Sequence, residues 1–217
     1  MASQVNICNM ALMRIGVRDR IASMTEGSEE SRVLSEVYET ILELVLTQVD
    51  WAFARQRKAL TLLETMTGEE WTYRYQLPAN CAFARKIEGD ARNLPNEALV
   101  VWQLESQDDG LKKTIVTDRK DAVLIYTRND LKPGMYPAHF RDHLQWMLAQ
   151  EIARPLSVRE EIIDMTMRAA GRSLSINGAI DLNQAQPDQN LPSEFERVRE
   201  GDLSMFRVNS IRTEDID

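Results

Sequence analysis

SEESRVLSEVYETILELVLTQVDWAF, residues 28–53, is the stretch that decides the fold of this 217-residue chain. Ser28 is a suitable N-cap, and the ~22 residues after it would extend roughly 33 Å as an α-helix. The apolar residues recur at steps of three and four, which predicts one continuous stripe on an amphipathic helix: Leu34, Val37, Tyr38, Ile41, Leu42, Val45 and Val49. Such a helix needs partners along its whole length.

Three other segments have the helical period and are the predicted partners of this helix: residues 4–16, 138–153 and 159–183. In the first segment Ser3 can act as the N-cap and Gly16 can end the helix, since glycine adopts the left-handed conformation that follows many helices. Its predicted inward face consists of Cys8, Ala11, Leu12 and Ile15. Pro137 suits the first position of the second segment. The face predicted there consists of Phe140, Leu144, Met147, Leu148 and Ile152.

The last helical segment begins near Val158 and contains two glycines. Gly171 and Gly178 each cost ~1 kcal/mol relative to alanine inside a helix. We therefore expect this helix to kink or break before Gln186. The residues predicted to face the core are Ile162, Met165, Ala169 and Leu174.

Residues 71–128 carry the β-rich pattern of the chain. Apolar and polar residues alternate from Trp71 to Leu77, and three further apolar runs follow at residues 96–104, 111–117 and 122–127. Asp109 and Gly110 predict a hairpin turn between the first two of these runs, because this dipeptide supplies the positive φ angles of tight turns. The pattern predicts four or five short antiparallel strands inserted between helices.

Two aromatic residues follow the long helix directly. Trp51 and Phe53 alternate with Ala52 and Ala54, so the helical period gives way there to a period of two. We interpret both aromatics as packing residues that close the end of the helical core rather than as ligand contacts, because aromatic side chains bury large apolar areas.

These patterns predict an α+β protein with three parts. The parts are a helical bundle of residues 1–56 and 137–186, a small antiparallel β domain inserted at residues 57–136, and an extended C-terminal tail of residues 187–217. The tail has eight acidic residues and four arginines, with few large apolar residues and no sustained period. This composition is typical of a segment that orders on a partner, and equally of simple terminal disorder.

The net charge of −8 argues against a protein that binds nucleic acid tightly, because such proteins need clustered lysine and arginine. An acidic body still allows DNA to pass without binding. The two cysteines, Cys8 and Cys81, fit a reducing assembly site better than a disulfide framework. We read no secretion signal in the first residues, and no apolar run approaches the ~18 residues of a membrane span.

His139 and His143 are the only histidines, and their spacing on a helix can chelate zinc. The metalloprotease motif requires a glutamate directly after the first histidine, but Phe140 occupies that position, and no third ligand is identifiable. We therefore predict that both histidines lie on a solvated or subunit-facing side of the helix.

Paired carboxylates are the other candidates for chemistry. The glutamate pairs at 29–30, 69–70 and 160–161 are typical of solvated helix faces. A phosphate-binding glycine loop and a nucleophile motif are both missing from the sequence. We therefore predict neither an enzymatic activity nor a cofactor or metal.

Six motifs follow one another along most of the chain: ICNMALMRIG (7–16), SEESRVLSEVY (28–38), DWAFAR (50–55), WTYRYQLPANC (71–81), LIYTR (124–128) and WMLAQEIARPL (146–156). In this order they resemble the tail tubular protein A family of short-tailed bacteriophages, the head-to-tail adaptors beneath the portal. Residues 202–212, DLSMFRVNSIR, are similar to the closing element of that family, a serine, an aromatic residue and an arginine, with Phe206 in place of tryptophan.

The resemblance implies a homo-oligomer, a dodecameric ring that is docked between the phage portal protein and the tail nozzle protein. Double-stranded DNA would pass through the ring without specific binding, and the ring would complete the channel for retention and ejection of the genome. The expected location is the virion tail, after assembly in the host cytoplasm. The alternative function is a virion-associated peptidoglycan hydrolase on the same scaffold, which turnover of peptidoglycan would reveal.

Two groups of residues are the candidate sites of such an adaptor. The first lies in the tail, which we predict to be a portal-binding arm, because apolar residues and arginines are grouped there as in short recognition segments. Its candidate contacts are Leu203, Met205, Phe206, Arg207, Ile211 and Arg212. The second group is Glu36 and Glu43, one heptad apart on the polar face of the long helix, which we expect to face the channel and keep DNA sliding.

Overall fold

The computed structural model describes residues 3–67, 70–89, 100–107, 112–156 and 158–185. Four helices lie in these ranges: α1 (Gln4–Arg14), α2 (Glu29–Gln48), α3 (Ala138–Ala153) and α4 (Glu160–Ala185). The same ranges contain seven strands: β1 (Arg55–Ala59), β2 (Thr61–Thr65), β3 (Tyr73–Gln76), β4 (Cys81–Ile87), β5 (Trp102–Gln107), β6 (Lys112–Thr117) and β7 (Val123–Arg128). The predicted α+β class, with strands inserted between helices, is confirmed.

The first two helices begin and end as their sequences predict. Ser3 accepts a hydrogen bond from the Asn6 backbone N–H at 3.1 Å, and Ser28 accepts one from the Ser31 N–H at 3.2 Å. Gly16 follows α1 with a φ of 80°, the left-handed conformation that glycine adopts without strain. Local chemistry therefore sets these boundaries.

Helix α3 occupies the centre of the helical core, because it packs against α1, α2 and α4. The long helix α2 forms one wall of this core. Its buried residues are Ser31, Leu34, Tyr38, Ile41, Leu42, Val45 and Leu46. Those of α3 are Phe140, His143, Leu144, Gln145, Leu148, Ala149, Ile152 and Ala153. The predicted apolar stripes are thus buried, except that Val37, Val49 and Met147 are only partly buried against the core. Polar residues that the pattern did not assign to the core are buried with them.

Helix α4 differs from its prediction in two ways. It continues from Glu160 to Ala185 without the expected break. A Cβ atom at Gly178 would lie 3.4 Å from Cγ2 of Val49, an ordinary van der Waals distance, so α4 packs against the end of α2 at this position. The predicted inward face is wrong at Met165, which is exposed, whereas Ile162, Ala169 and Leu174 are partly buried. The buried residues of α4 are instead small and mostly polar: Thr166, Ala170, Ser173, Asn177 and Asp181.

The strands form two antiparallel sheets. Sheet A has the order β1-β7-β4, and sheet B has the order β2-β3-β6-β5. The chain crosses from sheet A to sheet B at Leu60, whose N–H donates to the Ala122 carbonyl at 2.9 Å. Side chains of both sheets share one hydrophobic cluster: Tyr75, Ala84, Ile87, Ile115, Ala122, Leu124 and Tyr126. The structure describes seven strands, more than the four or five predicted. The sequence did not reveal β1, β2 and β4, because they lack a clear alternating pattern.

The predicted hairpin between β5 and β6 is present as a strand pair. The two strands run antiparallel from the pair Trp102↔Thr117 to the pair Gln107↔Lys112. The turn predicted at Asp109 and Gly110 lies outside the described residues.

The connection from α2 to sheet A contains a short 3-10 turn, Ala52–Ala54, at the point where the sequence predicts that the helical period ends. Trp51 packs edge-to-face on Phe140, with ring centres 5.1 Å apart, and its Nε1–H donates to the Val45 carbonyl at 2.7 Å. Phe53 packs on the same ring at 4.7 Å. The interpretation that both aromatics close the end of the helical core is confirmed.

Arg85 on β4 joins sheet A to the end of α2. Its Nη2 donates to the carbonyl oxygens of Leu46, Thr47 and Val49 at 3.2, 3.3 and 2.6 Å. Its Nε donates to the Thr127 hydroxyl on β7 at 3.0 Å. The last carbonyls of a helix have no partner within the helix and carry partial negative charge, so a guanidinium there stabilises the end of α2.

The helical core and both sheets belong to one compact unit that ends at Ala185. None of the helices in the described ranges combines the length and the apolar character of a membrane span. The predicted portal-binding arm, residues 187–217 with its six candidate contacts, lies outside the described residues.

Candidate assembly surfaces and a buried histidine cluster

His143 lies inside the helical core and is fully buried. Its Nδ1 is 2.7 Å from the Ser173 hydroxyl on α4, and its Nε2 is 2.8 Å from Oε1 of Gln48 at the end of α2. Burial lowers the pKa of His143 to about 4, against a smaller opposing effect of the Asp142 carboxylate. The ring is therefore neutral at pH 7 and connects three helices by hydrogen bonds.

His139 lies one turn earlier on the same face of α3. Its Nε2 is 3.0 Å from Oδ1 of Asp181, and Oδ2 of that carboxylate accepts a hydrogen bond from the Ala52 N–H at 2.6 Å. The Trp51 ring lies beside both histidines, with centre distances of 6.1 and 6.2 Å. We call these five residues the histidine cluster: Gln48, His139, His143, Ser173 and Asp181.

The prediction that the two histidines face solvent or a subunit is wrong. Both point into the interface between α3 and α4, because α4 turns hydroxyl, amide and carboxylate side chains inward and supplies their partners. Sequence reasoning missed Ser173, Asn177 and Asp181. The available signal was their spacing of four residues, which places them on one face of a helix.

A second polar contact continues the same interface. Nη2 of Arg14 on α1 donates to Oδ1 of Asp142 at 2.7 Å and to Oε1 of Gln145 at 2.8 Å. The Asn177 amide donates to the other oxygen of Asp142 at 3.0 Å. Arg14 also lies 4.1 Å from the ring centre of Trp146, a cation–π distance. The polar face of α4 is thus satisfied by α3 and, through Asp142, joined to α1.

The Ser173–His143 pair has the distance of a nucleophile and its base, but it has a structural role. Ser173 is buried in the helical core, where its hydroxyl lies 2.7 Å from Nδ1 of His143 and 2.8 Å from the Ala170 carbonyl oxygen. The adjacent glutamates 29–30 and 160–161 lie in the first turns of α2 and α4, where carboxylates stabilise a helix start. Over the described ranges, no three His, Cys, Asp or Glu side chains are close enough to hold a metal ion.

We expect the stability of the protein to fall between about pH 6.5 and pH 4 because of His143. Below its ordinary pKa of 6.5 the unfolded chain binds a proton, whereas the folded ring does so only near pH 4. The loss amounts to at most about 3 kcal/mol and levels off below pH 4. Urea unfolding at a series of pH values measures it.

The variant His143→Asn is the control for this titration. It should be less stable at pH 7, because it loses hydrogen bonds, but its stability should depend less on pH between 6.5 and 4. Equal pH dependence in both proteins would show that His143 contributes nothing to the acid sensitivity.

The acidic face of α2 is exposed. Glu36 and Glu43, the predicted channel-facing residues, both lie on it. Neither forms an ion pair with any residue that the structure describes. Their carboxylates are therefore available to face another molecule or an aqueous channel, and their orientation toward DNA remains a prediction.

Several elements expose large apolar side chains. Helix α4 exposes five of them: Met165, Met167, Ile176, Ile180 and Leu182. Spacings of 11 and 4 residues place Met165, Ile176 and Ile180 on one side of the helix, and we call these three the outer stripe of α4. On sheet B the exposed residues are Leu62 and Leu63 on β2 and Leu104 on β5. Exposed apolar residues that are grouped on one element are candidates for protein contact.

A cleft of about 550 Å³ lies beside β2 and β3. Residues of both sheets and their connections line it, including Leu63, Leu77, Pro78, Cys81 and Lys113. Burial raises the pKa of the Cys81 thiol to about 11, so the sulfur is protonated at neutral pH and is a weak nucleophile. Burial likewise raises the pKa of Cys8 to about 12. Both cysteines therefore act as small packing residues.

No protein-family model matches the chain, and no curated protein matches it. The resemblance described above therefore rests on the six motifs themselves. Three of them coincide with buried parts of the fold: residues 7–16 form α1 and its end, residues 124–128 lie in the central strand of sheet A, and residues 146–156 include the second half of α3.

Proposed function

We propose that this protein is a bacteriophage head-to-tail adaptor of the tail tubular protein A type. Copies of the chain assemble as a dodecameric ring between the portal and the tail nozzle, and the ring completes the channel through which the genome is retained and ejected. The observation that carries the proposal is the polarity of α4.

Helix α4 turns polar residues inward and exposes large apolar residues among charged ones. Its inward hydroxyl, amide and carboxylate groups form hydrogen bonds with partners on α3, so the burial of this polar face is compensated. The outer stripe of α4 then remains on the surface, with the exposed Arg168 and Arg172 on the same side between Met165 and Ile176. A mixed apolar and basic surface of this kind fits a subunit that is covered by neighbours in an assembly.

The ordered motifs support the same proposal, because they form much of the helical core and its junction with sheet A. In the proposed ring, the exposed glutamates of α2 line the channel. Like charges keep the phosphates of DNA away from the wall, so DNA slides without specific binding.

Electron microscopy of the protein mixed with portal rings of the phage that encodes it tests the proposal. The expected result is a twelvefold ring added to one end of the portal, whereas light scattering of the protein alone at micromolar concentration shows monomers. The reason is that weak, mixed surfaces bind only when several contacts form together. Portal rings that stay bare at saturating protein would contradict the proposal, and turnover of added peptidoglycan that depends on one carboxylate would favour a hydrolase.

A further inference from the structure

The two edge strands of sheet B, β2 and β5, differ in sequence. In its order β2-β3-β6-β5 every neighbouring pair is antiparallel, so β2 and β5 run in opposite directions at the two edges. Among the described residues, β2 pairs only with β3 and β5 pairs only with β6. Each edge therefore presents backbone N–H and C=O groups that another strand can bind.

One row of side chains crosses the whole sheet. The registers pair Leu62 with Tyr75, Tyr75 with Ile115 and Ile115 with Leu104. The two central members are 2% and 0% exposed, whereas Leu62 is 48% and Leu104 is 45% exposed. The row faces the hydrophobic cluster that the two sheets share. Its end residues, Leu62 and Leu104, are about half exposed, so the apolar layer is not fully covered at either edge of the sheet.

We propose that β2 of one copy of this chain pairs with β5 of the next copy, so that sheet B continues from subunit to subunit. The pairing is antiparallel because the two edges run in opposite directions, and it places Leu62 beside Leu104. A contact between two different edges is head-to-tail, the kind that closes into rings. The inference rests on the proposed ring function and names one contact within it.

The charges of the two edges permit this register. In this register Thr61 lies opposite Glu105, and Glu64, which follows a bulge in β2, lies opposite Gln103 if the bulge is kept in the new pair and opposite Trp102 if it is not, so no two carboxylates face each other. Both glutamates are already held within their own subunit by Arg74, at 3.1 and 3.2 Å.

The edges of sheet A are unsuited to such pairing. Strand β1 carries Arg55, Arg57 and Lys58 among its five residues, a density of cations that discourages a further strand. Strand β4 packs against α2. Strand β2, by contrast, has two exposed leucines and Glu64 as its one charged residue. These features favour a second copy of sheet B as the occupant.

Disulfide trapping tests the pairing in rings assembled on portal. The variant Leu62→Cys/Leu104→Cys, oxidised after assembly, should give a ladder of covalent oligomers on a denaturing gel, since facing residues on paired strands bring their Cβ atoms to ~5 Å. The matched control is Thr61→Cys/Leu104→Cys, in which the two sulfurs lie on opposite faces of the sheet, and it should give mainly monomer. Oxidised wild-type rings measure the background from Cys8 and Cys81.

A lysine at the edge gives a second test. Leu62→Lys should lower the fraction of portals that carry a ring by at least about tenfold, because the contact repeats at every subunit. Met135→Lys, at an exposed site outside both sheets, should leave that fraction unchanged. If rings form and the paired cysteines yield only monomer, the edge pairing is wrong while the proposed function stands. If wild-type protein forms no ring, the proposed function fails and the pairing with it.

Discussion

Trp51→Ala should destabilise the protein by about 3–5 kcal/mol, the range of large-to-small changes in a core. The indole is fully buried and packs against Phe140 and both histidines of the cluster, so its removal leaves a cavity where three helices meet. The Val45 carbonyl also loses its hydrogen bond from Nε1. Urea unfolding followed by far-ultraviolet circular dichroism gives the free energy of unfolding for both proteins.

The variant Trp51→Phe separates the two contributions. It keeps an aromatic ring but leaves the Val45 carbonyl without its donor, and we expect a loss of about 1–3 kcal/mol. Trp146→Ala serves as the comparison for a partly exposed indole that stacks on Arg14, and its loss should be smaller than that of Trp51→Ala. If Trp51→Ala costs less than Trp146→Ala, Trp51 does not close the helical core.

Deletion of residues 187–217 should abolish attachment to the portal. The segment has few large apolar residues, and those near its end are grouped with two arginines, as in a short recognition segment. We expect the thermal unfolding of the monomer to stay nearly unchanged, because the compact unit ends at Ala185. Cosedimentation with portal rings measures attachment, and differential scanning calorimetry measures the unfolding.

Within this segment, Phe206→Ala should weaken portal binding by about 2 kcal/mol or more, the scale of an interface hot spot. An aromatic ring buries a large apolar area for few rotatable bonds, so it is the expected anchor. Phe195→Ala is the matched control, since it removes the same side chain from the same segment but outside residues 202–212. Undiminished docking of the truncated protein would assign portal binding to the helical core instead.

The elements that were predicted correctly are those whose signals are local. The caps at Ser3 and Ser28 and the apolar stripe of α2 need only neighbouring residues to be interpreted, and the structure has them where the sequence predicts them. The face of α4 was predicted wrongly, because apolar residues were assumed to point inward. Contacts with α3 determine the inward face of α4 instead, because His139, His143 and Asp142 each bind a polar group of α4.

The strands show the same limit. Strand β1, RQRKA, has no alternation and owes its conformation to pairing with β7 over five residues. The role of Arg85 was likewise invisible in the sequence, since its acceptors lie 36 to 39 residues away along the chain. The exposed edges of sheet B could not be found either, because strand order depends on contacts between segments that are distant in the sequence.

The contact of Arg85 with the end of α2 also gives the protein a mechanical property. Besides the covalent connection at residues 49–54, the Arg85 guanidinium forms a second link between sheet A and α2, because it binds three carbonyl oxygens at the end of that helix. Hydrogen bonds weaken steeply with distance and misalignment, so sheet A cannot tilt away from the end of α2 without weakening these bonds. The stiffness of this junction therefore comes from a side chain of the sheet as well as from the short connecting segment.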